Sequence, residues 1–132
     1  MTRRTIVFTA ALLVFLLPAA GVAPAQTART SRLMREKLLH SQRILASVTT
    51  SDYALMQKET QALTKITQSQ EWNELMMGGL RPYTTGFVKA LADLTSAGER
   101  RDYDAAGSSF TAMTTACIQC HKHVMKSRIA GR

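Results

Sequence analysis

Apolar residues recur along this chain with the period of a helix and few competing strand signals. Over residues 30–49, Met34, Leu38, Ser41, Leu45 and Val48 repeat at spacings of four and three, flanked by Arg32, Arg35, Gln42 and Arg43. That spacing draws one stripe along a helix, and Leu33 and Ile44 widen it. Ser51 and Asp52 break the pattern and can cap the next helix. It is expected over 52–69, with Tyr53, Met56, Leu63 and Ile66 facing inward, joined by Leu55 or Ala62. The stretch QEWNELMMGGLRP is less regular, punctuated by Gly78, Gly79 and Pro82. Within it Trp72, Leu75 and Met76 are expected to make a short helical turn that plugs one end of the core. A third long helix is expected over 82–97. Pro82 suits its first turn, Tyr83, Phe87, Ala90, Leu91 and Leu94 form its stripe, and Gly98 suits its stop. The fourth is expected over 102–127. It would carry Tyr103, Ala106, Phe110, Met113, Cys117, Cys120, His121 and Val124 on one face and project both thiols and His121 into the core. The pattern predicts an all-α fold, an antiparallel four-helix bundle, a form that often builds cofactor sites from facing helices.

The N-terminal segment follows a different logic. Arg3 and Arg4 precede an apolar run at residues 6–17 that only Thr9 interrupts, and small residues then lead to Ala23-Pro24-Ala25. This is the layout of a secretory signal peptide with an A-x-A cleavage site. The run falls short of the ~20 apolar residues that span a bilayer. The expected organisation is therefore a cleaved signal peptide at 1–25 and one domain at 26–132. The processed chain would not be an integral membrane protein, and export disfavours a nucleic-acid partner. Without Arg3 and Arg4, 15 Lys and Arg face nine Asp and Glu, a net charge of +6 that favours acidic partner surfaces and anionic membranes.

Both cysteines of the chain lie in Cys117-Ile118-Gln119-Cys120-His121. C-x-x-C-H is the attachment sequence for c-type haem. Two thiols three residues apart on a helix reach the two vinyl groups of the porphyrin, and the histidine that follows supplies an axial nitrogen. A thioredoxin-like redox pair would sit near a βαβ pattern. A zinc site would need four ligands, which Cys117, Cys120, His121 and His123 supply only as a strained local set. A structural disulfide has no use for His121. The expected cofactor is one covalently attached haem c per chain.

A C-x-x-C-H motif in the last helix of a four-helix bundle resembles the class II c-type cytochromes, the cytochrome c′ and cytochrome c556 group. The resemblance covers the domain at 26–132 in layout, and in specific residues it rests on the C-terminal motif and Met34. It implies that haem lies inside the bundle on Cys117 and Cys120, with His121 as the proximal iron ligand. The opposite face is covered from the first helix, by a ligating methionine in the low-spin type and by a non-coordinating apolar residue in the c′ type. Met34 holds that place here and is the proposed distal ligand. Members often carry an arginine four residues after the motif histidine. That position is Met125 here, a departure that weighs against nitric-oxide binding of the c′ kind. Members also often pair through their first two helices, which leaves a homodimer open.

The other candidates rank lower. His40 lies about 120° around the helix from Met34 and is expected on the exposed flank. His123 is expected at the surface, Met56 and Met113 in the core, and Met76 and Met77 as weaker ligand candidates. Arg32, Arg35 and Arg81 are candidate partners for the haem propionates. The expectation is a periplasmic, non-enzymatic electron carrier that shuttles single electrons between unidentified redox proteins. The alternative is a five-coordinate protein that binds NO or CO.

Overall fold

The computed structural model describes residues 22–130, and all of them but three connecting pairs lie in helices. The signal peptide expected at 1–25 therefore lies outside the described residues up to residue 21. The order is α1 (Val22–Thr50), α2 (Tyr53–Thr67), α3 (Gln70–Leu75), a π-helical turn (Met76–Leu80), α4 (Arg81–Arg100) and α5 (Tyr103–Ala130). The fold is all-α.

Two connections have the same chemistry. After α1, Ser51 takes a positive φ of 54°, and the Asp52 N–H donates back to the Ser47 carbonyl at 2.9 Å. After α4, Arg101 takes a φ of 53°, and the Asp102 N–H donates to the Ala97 carbonyl at 3.0 Å. In each, a left-handed residue closes one helix by a six-to-one hydrogen bond. The aspartate then caps the next helix. Asp52 accepts from the Leu55 N–H at 2.9 Å, and Asp102 from the Ala105 N–H at 3.0 Å. Such tight turns fold α1 back on α2 and α4 back on α5, and the two hairpins meet mainly through α2 and α4.

Gly98 does not stop α4. It lies buried inside the helix, where an added Cβ would sit 3.1 Å from Met56 Sδ, and α4 runs on to Arg100. Its lack of a side chain serves close packing on α2. The irregular stretch does contain a short helix, α3, capped by Ser69, whose hydroxyl oxygen accepts from the Trp72 N–H at 3.2 Å. Trp72 is buried there, tilted against Phe87 at 5.7 Å between ring centroids.

The expected stripe of α1 is displaced. Leu33, Ile44, Ser47 and Val48 are buried, whereas Leu38 and Leu45 are 58% and 48% exposed. The inward face runs through Leu33, Lys37, His40, Ile44 and Ser47, one position before the apolar one. Its polar members hide the periodicity: Lys37 and His40 find partners in neighbouring helices, and the Ser47 hydroxyl donates to the Ile44 carbonyl of α1 itself. On α2, Met56, Glu59, Thr60 and Leu63 are buried, while Tyr53 and Ile66 are half-buried. Phe87, Ala90, Leu91 and Leu94 are buried on α4 as expected. Met56 and Met113 are core residues, also as expected.

Candidate cofactor-binding cleft

On α5 the inward side chains become small toward its C-terminal half, at Ala116, Cys117 and Cys120. Ala106, Met113 and Ala116 are buried, Cys117 and Cys120 are half-buried, and α1 touches α5 only lightly. The space this leaves is a cleft of about 280 Å³ between α1, the α3 segment, α4 and α5. Its walls are mostly apolar, with Trp72, Leu75, Leu80, Phe87 and Val124 among them.

Four residues singled out from the sequence line this one cleft. Met34 comes from α1, and Cys117, Cys120 and His121 come from α5. Cys117 and Cys120 carry free thiols one helical turn apart. The motif does not project wholly into the core as expected. Tyr103 and His121 are exposed, and His121 forms part of the cleft wall from the lip. Two cysteine side chains and an imidazole border a void and can reach a group that enters it. A thiolate is a carbon and metal nucleophile, and an imidazole and a thioether are haem-iron ligands. Among the described residues, no three His, Cys, Asp or Glu side chains converge as a metal site.

Lys37 was not visible as a site residue. Its ammonium nitrogen stands 3.6 Å from the Phe87 ring centroid and 4.8 Å from that of Trp72, inside the cleft. Burial pulls its pKa below the ordinary lysine value, and the Cys117 and Cys120 sulfurs, as thiolates, oppose this. Burial likewise pushes the Cys120 thiol up, against the attraction of Lys37. The only signal in the sequence was position, since Lys37 follows Met34 by three residues and so shares its side of α1.

The remaining candidates fall elsewhere. His40 is half-buried, not on an exposed flank, because Nδ1 lies 2.5 Å from Oε2 of the buried Glu59. His123 is half-buried too and stacks on Tyr83 at 4.2 Å between centroids. The Met76 sulfur accepts the Thr84 hydroxyl, and Met77 is exposed. Arg32 lies 4.0 Å from both Glu36 and Glu71, and Arg35 and Arg81 are exposed. None of the three arginines lines the cleft, whose cations are Lys37 and Arg128. No helix among the described residues is long and apolar enough to cross a membrane. No protein-family model matches the chain, and no curated protein or solved structure does so either.

Proposed function

We propose that this chain is an exported monohaem c-type cytochrome of the class II kind, a four-helix bundle that carries single electrons between periplasmic redox partners. One observation carries the reading. The two thiols and the imidazole of Cys117-Ile118-Gln119-Cys120-His121 and the thioether of Met34, which sits on another helix, line a single apolar-walled cleft. The motif alone is local, but the convergence of Met34 on it is tertiary.

The residues fit a porphyrin by their chemistry. Cys117 and Cys120 would hold it covalently, and His121 and Met34 would ligate its iron. Bound haem supplies a one-electron Fe(III)/Fe(II) couple. The protein's part is to keep water away and the ligands still. Trp72, Leu75, Phe87 and Val124 make the wall dry, and the tilted Trp72–Phe87 pair stiffens its floor. Lys37 has a flexible stem long enough to carry its ammonium out to the cleft mouth when the floor is covered. With His121 and Met34 both available to hold the iron, little of the chain would have to move as the couple cycles.

The test is the visible spectrum of the matured protein, ferric and ferrous, with and without carbon monoxide. A low-spin spectrum indifferent to the gas supports Met34 ligation and electron transfer. In that case Met34→Ala opens the iron and makes the protein respond to carbon monoxide. A high-spin spectrum that shifts with the gas in the unaltered protein moves the function to NO or CO binding with Met34 as a cover. Absence of covalent haem ends the cytochrome reading.

A further inference from the structure

The outer face of α5 carries a feature that the cleft does not use. Ile118, Met125 and Ile129 are 62%, 59% and 76% exposed. At about 100° per residue, they fall within about 40° of one another around the helix, spread over about 16 Å of its length. Three large apolar side chains in one line on the outside of a helix are not scattered surface residues.

Cations surround this line. Lys122 and Lys126 are exposed on one side of it, and Arg128 on the other. None of Lys122, Lys126 and Arg128 makes an ion pair among the described residues. The reason is in the chain itself, since Asp104 is its last acidic residue. Elsewhere exposed Lys89 has Asp93 at 2.6 Å and Arg32 lies near two glutamates. The patch also touches the cleft directly, because Arg128 belongs to both.

We infer that the outer face of α5 around Ile118, Met125 and Ile129 is the docking surface for an acidic redox protein. Its partner would present a small apolar centre ringed by carboxylates. This rests on the cytochrome reading for what is exchanged, but the surface itself is drawn from exposure and charge. An apolar centre with a charged rim is the anatomy of a protein interface, and unpaired rim charges speed encounter with an opposite surface. The small size suits a transient complex, as electron transfer needs. A second copy of the chain would bring like charges together. A membrane would be gripped by little, because the face has no aromatic residue and the inner side of α5 is packed on α4.

The rate of reduction of the haem-loaded protein by an acidic [2Fe–2S] ferredoxin, used as a probe, tests the inference. At low ionic strength the Lys122→Glu/Lys126→Glu variant is expected to react about 10-fold more slowly or worse. Lys58→Glu/Lys89→Glu, the same charge change on exposed residues of α2 and α4, is expected to cost less than about 3-fold. At ~1 M salt, where screening is short-ranged, the gap closes. Equal slowing by both variants would reduce the effect to net charge and overturn the surface. A second measurement does not need haem. Amide shifts of the ¹⁵N-labelled chain on adding polyglutamate are expected to concentrate at residues 118–129. If they do while no haem is found, the surface stands and the cytochrome reading falls. If they scatter, the surface falls. Binding of phosphatidylglycerol vesicles or self-association through 118–129, without a response to the acidic probes, would also overturn it.

Discussion

The Nδ1 atom of His40 lies 2.5 Å from Oε2 of Glu59, joining α1 to α2. The glutamate side chain is 2% exposed, and the exposed Arg43 guanidinium approaches its other oxygen at 3.6 Å. A carboxylate taken this far out of water is stable only with hydrogen-bonding partners. His40→Ala leaves it with Arg43 alone and is expected to cost about 1–3 kcal/mol of unfolding free energy, read from urea denaturation. A change under about 0.3 kcal/mol would mean that Arg43 or water already satisfies the group.

Lys37 is expected to weaken the haem-free chain at neutral pH. Its folded pKa lies below the ordinary 10.5 because burial disfavours the ammonium. The unfolded chain therefore binds the proton more tightly, and this group adds stability only as pH rises toward 10.5. Lys37→Met removes the charge and keeps a contact with the Trp72 and Phe87 rings. The variant is expected to unfold at a higher temperature than the parent at pH 7, with a gap that shrinks as pH approaches 10.5. A gap independent of pH would place the effect in packing and not in charge.

The proposed haem attachment can be checked by mass. Coexpressed with haem-attachment machinery, the parent should retain haem after denaturation. Cys117→Ala or Cys120→Ala each leaves one thioether position, and the double variant leaves none. Haem retained by the denatured double variant would show that neither sulfur is the attachment point.

The helix ends offer two stability tests. Arg101 holds a φ of 53° with a Cβ attached, so Arg101→Gly is expected to stabilise by about 0.5–1 kcal/mol. Gly98 faces Met56 Sδ, so Gly98→Val is expected to destabilise by about 1–3 kcal/mol through overpacking. Thermal melts report both. A Gly98→Val protein as stable as the parent would mean that Met56 has room to turn aside.

Much of this protein could be read residue by residue. The helical character and order of the long segments, Asp52 as the cap of α2, Pro82 at the start of α4 and the thiol pair on the last helix are local properties. They follow from periodicity, capping and spacing, which act within a few residues of the chain. Which face of α1 turns inward did not follow. Leu38 and Leu45 make as good a stripe as Leu33 and Ile44, and only the shape of the facing helices separates two stripes one residue apart. The same holds for Glu59, whose burial depends on His40 and Arg43 arriving from another helix, and for Gly98, which reads as a stop until Met56 is set against it. The sequence by itself determined that Cys117, Cys120 and His121 lie together near one end of a helix. Only the tertiary structure decided that Met34 looks into the same cleft, that Lys37 stands inside it over two aromatic rings, and that Ile118, Met125 and Ile129 are left outside. Contacts between distant segments depend on how the helices pack, and packing is a property of all the surfaces at once.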